Sequence, residues 1–417
     1  MRTLSIVIPA YNEENGIAKI AERVLAVDDA LAKSGVRLTE VLVVDDGSID
    51  RTAEIASTIE GVRLIRHPRN RGYGAALKTG FREACGDFVG FLDADGTYPP
   101  EFFPSLCQPA LQGAELVIGS RMAGAESQMP LTRRLGNLFF ANLLSLVARR
   151  PVSDSASGMR VFRRDILQRI YPLPDGLNLT PVMSTRALHE GIRLVEVPIP
   201  YSERLGRSKL SVLRDGSVFL HSIIWTALTY NPVRILGLLG LAGVGVALAI
   251  GIALISARLQ GSTSLAPWQV ASLFVGAVAG FSGVSLFALG TTFNYLVSLF
   301  YKEPIRQGLF GRPLFKTPLD RHFWWMGTLA TLGGLLIGGG SLVLGLNGWA
   351  VGRLWLYLLG SAMSILLGVQ LIIYWILLRV LDELSHRHAI IERELEFDPA
   401  PVATGVARTL PTEAVHV

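Results

Sequence analysis

Apolar residues fall along this chain in two regimes. Up to about residue 220, short apolar runs alternate with mixed stretches that carry charges throughout; beyond residue 233 the runs are long and nearly free of charge. In the first regime Leu4–Ile8 reads as a strand stopped by Pro9, followed by a helical pattern to about Leu31. Glu40–Val44 is nearly all apolar, as a strand covered on both faces should be, and Asp50-Arg-Thr opens the next helix. Val62–Ile65 is a third strand, Asn70–Gly74 opens a helix through Ala84, and Phe88–Leu92 is a fourth strand. Pro99-Pro100-Glu101 starts another helix with proline in its first positions, as helix starts prefer, and Leu116–Ile118 is a fifth strand. Strands alternating with helices predict an α/β domain with a Rossmann-like, mostly parallel, doubly wound sheet.

The second regime holds four apolar runs, Val233–Ala257, Trp268–Leu299, Phe323–Leu346 and Trp355–Val380. Each exceeds the ~20 residues that cross a bilayer. Four buried soluble helices of that length would be the alternative. The loop Leu259–Pro267 after the first run has no Lys or Arg, whereas the loop after the second holds Lys302, Arg306, Arg312, Lys316 and Arg321. The loop after the third has only Arg353, and Arg379, Arg387 and Arg393 stand at and beyond the end of the fourth. The positive-inside rule then places the second loop, both termini and the N-terminal domain in the cytoplasm. The expectation is a multi-pass protein of the cell (inner) membrane. Small residues such as Gly237, Gly240 and Gly338–Gly340 allow close helix packing or a homo-oligomer. Between the two regimes, residues 209–232 carry apolar side chains at 212, 213, 218–220 and 223–225, the pattern of an amphipathic juxtamembrane helix lying in the membrane interface. Domain boundaries follow at 1–208, 209–232, 233–384 and 385–417, the last a cytoplasmic tail of disordered composition rich in Pro, Ala and Thr.

Composition sharpens this a little. Half of the 417 residues are apolar, and the formal net charge is +5. A basic balance suits contact with anionic lipid; without a basic helix interleaved with aromatics, nucleic acid is not an expected partner. The two cysteines, Cys85 and Cys107, fit a reducing compartment.

Candidate chemistry gathers where strands end. Tyr11–Glu14, Asp45–Ser48 and Asp93–Thr97 follow the first, second and fourth strands, so one edge of the sheet would carry all three. In Asp93-Ala-Asp95 two carboxylates stand one residue apart at the end of an apolar run. If the strand continues through them, both leave the same side of the backbone. They would repel unless a cation lies between them. Oxygen ligands suit a hard divalent ion, Mg²⁺ or Mn²⁺, which keeps water and shares phosphate oxygens with a substrate. A solvated Asp-Gly turn is the plainer alternative. Asn70–Gly74 lacks the third glycine of a dinucleotide fingerprint, Leu77 standing in its place, so an NAD site is a poor reading.

Taken in order, Ile8-Pro-Ala-Tyr-Asn-Glu-Glu14, Val43-Val-Asp-Asp-Gly-Ser48, Asp93-Ala-Asp95, Gly119-Ser-Arg121, Ser157-Gly-Met-Arg160 and Arg204-Leu-Gly-Arg-Ser-Lys-Leu210 resemble the family 2 glycosyltransferases of GT-A fold. Within these they resemble the polyprenyl-phosphate, dolichol-phosphate mannose synthase-like branch, over roughly residues 1–230. The resemblance implies transfer of a sugar from a GDP- or UDP-linked donor (GDP-mannose or a UDP-hexose) to a polyprenyl or dolichyl phosphate, with inversion. It implies Pro9, Tyr11, Glu13 and Asp46, with Asp93, as nucleotide contacts, and Asp93 and Asp95 as ligands of Mg²⁺ or Mn²⁺. Where related enzymes often carry Gln as a further ligand, this chain has Thr97, a weaker donor.

An acceptor phosphate is mostly dianionic at neutral pH and must be held beside another anion. Arg121, Arg133, Arg134, Arg160, Arg204, Arg207 and Lys209 form the basic group for that purpose; attraction to anionic headgroups is the alternative. Asp154 matches a position where the family has an acidic residue considered as a base. An ionised phosphate needs little base catalysis, so Asp154 is expected to orient Arg160 or the sugar. The catalytic group is thus read as Asp95, Asp154 and Arg121, while Tyr201, His189 and His221 are read as structural. Two rival functions are a processive polysaccharide synthase, which normally carries a Gln-x-x-Arg-Trp motif not found here, and a catalytically silent protein that binds or flips lipid.

Overall fold

The computed structural model describes residues 1–122, 129–148, 150–202, 212–260, 266–301, 319–349 and 351–395. The chain divides into two compact units, Met1–Ile235 and Leu236–Val417.

The first unit is built on one seven-stranded sheet: β1 (Arg2–Ala10), β2 (Val36–Asp45), β3 (Val62–Arg66), β4 (Phe88–Phe91), β5 (Leu116–Ser120), β6 (Arg160–Arg163) and β7 (Leu194–Pro198). Its spatial order is β3-β2-β1-β4-β6-β5-β7. All pairings are parallel except those of β6, which runs against β4 and β5. Helices α1 (Ile17–Leu25), α2 (Asp28–Lys33), α3 (Thr52–Thr58), α4 (Tyr73–Glu83), α5 (Phe103–Leu111), α6 (Leu131–Ala148), α7 (Leu167–Ile170), α8 (Leu179–His189) and α9 (Val212–Tyr230) complete it.

The sheet divides the core as a period-two strand must. Leu4, Ile6 and Ile8 face a cluster with Ile17, Ile20 and Phe103. Val7 and the β2 residues Leu42 and Val44 face the opposite cluster with Leu77, Phe81 and Met183. Both faces are covered, which is why these runs are continuously apolar.

Three local expectations are corrected. The pattern to Leu31 is two helices, separated at Ala26–Val27. The Asp93 strand stops at Phe91, so the two carboxylates leave a turn that closes at Gly96 (φ 76°), not an alternating strand. The antiparallel β6 and the edge strand β7 went unpredicted.

Helix α9 buries Phe219, Ile223, Thr226 and Ala227, the i, i+4, i+7, i+8 face of a helix. Phe140 of α6 meets Phe219, with ring centroids 5.9 Å apart. At its end, Tyr230 stacks on His189 at 5.1 Å. Val218 and Trp225 remain exposed. Helix α6 also presents an exposed apolar stripe: Leu131, Leu135, Leu138, Phe139 and Leu146.

The remaining helices are α10 (Pro232–Leu259), α11 (Pro267–Tyr301), α12 (Phe323–Leu346) and α13 (Val351–Leu395). Each contains a stretch long and apolar enough to cross a membrane: Pro232–Ala257, Pro267–Val297, Phe323–Leu346 and Leu354–Leu384. Helix α13 runs on through the first part of the expected tail as far as Leu395; residues 396–417 lie outside the described residues. Within the second unit, glycines set helix spacing. A Cβ on Gly240 would lie 2.5 Å from the Gly283 carbonyl of α11, so small residues permit that contact. Ser361 of α13 donates to the Gly334 carbonyl of α12 at 2.7 Å. Thr291 and Thr292 bond back to the Ala288 carbonyl of their own helix.

Candidate active site

Because β1, β2, β4, β5 and β7 run one way, their exits form one rim, and the reversed β6 begins at the same rim: Arg160 pairs with Phe91 and with Ile118. A cavity of about 410 Å³ opens there, between that rim and helices α6 and α9. Pro9, Tyr11, Glu13, Asp46, Asp93, Asp95, Arg121 and Arg133 line it. Eight of the sequence-predicted residues, drawn from five segments, therefore meet in one place.

The Tyr11–Glu14 turn is zipped to the loop after β2. Asn12 N donates to Ser48 Oγ at 2.9 Å, Glu13 N to Thr52 Oγ1 at 2.8 Å, and Ile49 N to Asn12 Oδ1 at 3.0 Å. Asp46 is buried, and its carboxylate takes the backbone N–H groups of Arg71 and Gly72 at 2.9 and 2.8 Å. Gly72 has φ 104°, and a Cβ there would lie 2.5 Å from the Asp175 carbonyl; glycine is required.

The two carboxylates are oriented separately. Tyr73 Oη donates to Asp93 Oδ1 at 2.7 Å. Burial and the adjoining Asp93 charge push the Tyr73 phenol well above its usual range, so it stays a donor. Asp95 Oδ1 accepts Thr97 N at 3.1 Å and Thr97 Oγ1 at 2.6 Å. The Thr97 hydroxyl thus serves Asp95. Behind Asp93 the backbone is closed by Gly158, where a Cβ would lie 2.5 Å from Asp93 Oδ2. Among the described residues no group of three or more His, Cys, Asp or Glu gathers to enclose a metal. Two carboxylates on an open cavity, leaving water and phosphate oxygens to complete the shell, fit Mg²⁺ or Mn²⁺ better than a closed zinc site.

Arg121 is held on one carboxylate. Its Nε and Nη2 donate to Asp154 Oδ2 and Oδ1, each at 2.7 Å, and its backbone N donates to Oδ2 at 2.9 Å. Asn137 of α6 adds a bond to Asp154 Oδ1 at 3.0 Å. Burial raises the Asp154 carboxyl, but the Arg121 charge and these donors outweigh it and hold it below its ordinary range. Arg121 is in turn kept protonated against burial by Asp154. The guanidinium lies over the rings of Tyr98 and Tyr201, 5.8 and 5.5 Å from their centroids.

Several expectations change here. Asp154 is fully buried and pairs with Arg121, not Arg160. Arg160 is itself fully buried beneath the cavity, its Nε and Nη2 given to the carbonyls of Ser157 and Ser155 at 3.0 and 2.8 Å. Burial draws it down to about 10. Its Nη1 is buried without a hydrogen-bond partner, and Arg160 is not among the residues that line the cavity. Arg134 is exposed and stands apart from the cavity lining. Arg204, Arg207 and Lys209 lie outside the described residues. Tyr201, read as structural, lines the cavity, as do Tyr73, Tyr98, Asn137 and Phe140, none of which was singled out. Of these, Tyr73 alone lies within a stretch that the sequence analysis discusses, Asn70–Gly74.

A sequence profile of Glycosyl transferase family 2 matches residues 5–171, and one of a domain of unknown function, DUF8752, matches residues 232–392. A dolichyl-phosphate hexose transferase of Haloferax volcanii is 34% identical over 221 residues, 53% of this chain and 92% of that protein. The chain belongs to glycosyl transferase family 2. This family 2 glycosyltransferase is also 30% identical over 302 residues to an undecaprenyl-phosphate 4-deoxy-4-formamido-L-arabinose transferase of Aeromonas hydrophila, covering 71% of this chain and 89% of the relative. Among solved structures, a glucosyl-3-phosphoglycerate synthase from Mycobacterium tuberculosis, in complex with Mn²⁺, UDP and phosphoglyceric acid, matches with a TM-score of 0.44 and 24% identity over 55% of this chain and 78% of that one. The strand order and the family profile together make the first unit a GT-A-like, mostly parallel mixed sheet, followed by a helical region with four candidate spans.

Proposed function

We propose that this glycosyltransferase moves a sugar from a nucleoside diphosphate sugar to a polyprenyl phosphate at a membrane face, by direct displacement with inversion. The observation that carries the reading is the meeting, in one cavity, of the Asp93/Asp95 pair with Arg121 and Arg133. An anion-handling metal position and an anion-handling cation cluster side by side suit two phosphate-bearing substrates. The relatives named for dolichyl phosphate and undecaprenyl phosphate support the acceptor class.

Pro9, Tyr11, Glu13 and Asp46 hold the nucleoside. Asp93 and Asp95 hold a divalent cation, which when bound neutralises charge on the diphosphate. Tyr73 and Thr97 fix the rotamers of those two carboxylates. Arg121, braced by Asp154, and Arg133 hold the acceptor phosphate in line with the anomeric carbon, and Arg204 and Lys209 belong to the same group. An oxygen of the acceptor phosphate forms the new bond to the anomeric carbon as the bond to the diphosphate oxygen breaks. The electron pair leaves on the nucleoside diphosphate. The nucleophile is already ionised, so no proton needs to be taken from it. Asp154 lacks the access a base requires and acts as a brace.

The exposed apolar stripe on α6 and the exposed Trp225 of α9 support a bilayer surface beside the cavity. The loop charges support a cytoplasmic catalytic unit in the cell membrane. The test uses purified full-length protein, a panel of labelled nucleotide sugars, polyprenyl phosphate and Mg²⁺ or Mn²⁺, with extraction of product into organic solvent. Label should enter the organic phase and be lost on adding EDTA or on Asp95→Asn. Transfer unaffected by both would overturn the metal role.

A further inference from the structure

One buried polar chain in the first unit runs from the cavity lining into the core. Asp46 lines the cavity, and its Oδ1 lies 2.7 Å from His67 Nδ1. The other ring nitrogen, Nε2, lies 2.9 Å from Thr79 Oγ1 on α4. All three side chains are buried. His67 is anchored through its own backbone N–H, which donates to the Asp45 carbonyl at 2.8 Å.

The chemistry of the partners sets the tautomer. An ionised carboxylate only accepts, so in the neutral ring the proton sits on Nδ1 and points at Asp46. Nε2 then accepts from the Thr79 hydroxyl. Oδ1 of Asp46 takes two donors, His67 and Arg71 N, while Oδ2 takes only Gly72 N. A carboxylate oxygen has two lone-pair sites, so Oδ2 is the atom with capacity for a ligand donor. Carboxylate torsions are soft and roughly two-fold; a third, side-chain donor selects one orientation. The same segment runs on to Tyr73, whose hydroxyl holds Asp93. Residues 67–73 thus join the nucleoside end of the cavity to its metal end.

We propose that His67 is a positioning residue for the nucleotide sugar: it sets the Asp46 carboxylate so that Oδ2 meets the nucleoside. The proposal rests on the nucleotide-sugar reading of the cavity. It predicts a stereochemical distinction between two amides. The amide nitrogen of Asn stands one bond beyond Cγ, where Nδ1 is; that of Gln stands a bond further out, toward the place of Nε2.

The test measures KM for the nucleotide sugar and for polyprenyl phosphate in full-length His67→Ala, His67→Asn, His67→Gln and Asp46→Ala, with thermal midpoints alongside. His67→Ala should raise the nucleotide-sugar KM about tenfold, the size expected for losing a hydrogen bond to a charged group, and leave the acceptor KM unchanged. His67→Asn should return it to near wild type, and His67→Gln should not. Equal rescue by both amides, or rescue that follows the thermal midpoint alone, would overturn the positioning role. If Asp46→Ala raises that KM and His67→Ala does not, the positioning role fails and the cavity reading stands. If neither raises it, the nucleoside assignment of Asp46 fails too.

Discussion

Replacing Asp154 by Asn removes one charge and little volume, and its consequence can be worked out from the bonds it breaks. The carboxylate is fully buried and accepts three donors from Arg121 and one from Asn137. An amide keeps one acceptor oxygen and turns an NH₂ toward a donor of Arg121. The guanidinium is then a buried cation without its counter-ion, a situation that costs about 3–5 kcal/mol. For a unit of this size each kcal/mol moves the thermal midpoint by about 2–4 °C, so a fall of about 6–20 °C is expected. Thermal unfolding of the purified protein in detergent, followed by circular dichroism, measures it. Arg121→Met and the double variant Asp154→Asn/Arg121→Met complete a cycle. The double variant should lose less than the two single losses added together, because it buries no lone charge. A shift under about 2 °C for Asp154→Asn, or strict additivity in the cycle, would refute the claim that this pair braces the cavity.

Other outcomes follow from particular contacts. Gly158→Ala puts a methyl against Asp93 Oδ2; turnover and Mn²⁺ affinity should each fall at least about tenfold, the order of effect seen when groups that orient a metal ligand are disturbed, with the thermal midpoint nearly unchanged. The depressed Asp154 carboxyl contributes stability that is fully present above its unfolded value, about 3.9, and is lost as pH falls through its lower folded value. Thermal midpoints taken from pH 6 down to 2 should therefore converge for wild type and Asp154→Asn below about pH 4. Leu135→Glu on the exposed stripe of α6 should raise KM for a long-chain polyprenyl phosphate about tenfold, the order of one buried leucine's contribution, and leave a short water-soluble analogue unaffected in the same assay.

Local chemistry was legible in the sequence where it repeats along the chain. The apolar runs of β1, β2 and β4 and the polar clusters after them show without a structure, because side-chain period and turn composition are local properties. What pairs across distance did not show. Asp154 and Arg121 are separated by 33 positions, and only the return of β6 beside β5 brings them together. Arg160, one basic residue among several in sequence, faces inward because it opens that reversed strand. Tyr98 and Tyr201 look like ordinary aromatic residues until the turn after β4 and the exit of β7 place both under one guanidinium. His67 carries no motif; its meaning lies in what each ring nitrogen touches.

The reversed β6 also makes the stretch from 121 to 159 an excursion with both feet on one rim. It begins where β5 ends and finishes where β6 starts, between β5 and β4. A segment tethered in that way can be traded as a cassette, since its ends stay put while its interior varies. A chimera carrying residues 121–157 from a relative with another lipid preference, with Gly158 kept, should inherit that preference and keep its own donor KM; loss of donor affinity would show the two halves to be inseparable. Evolution would then have a route to new acceptors that leaves the donor half untouched.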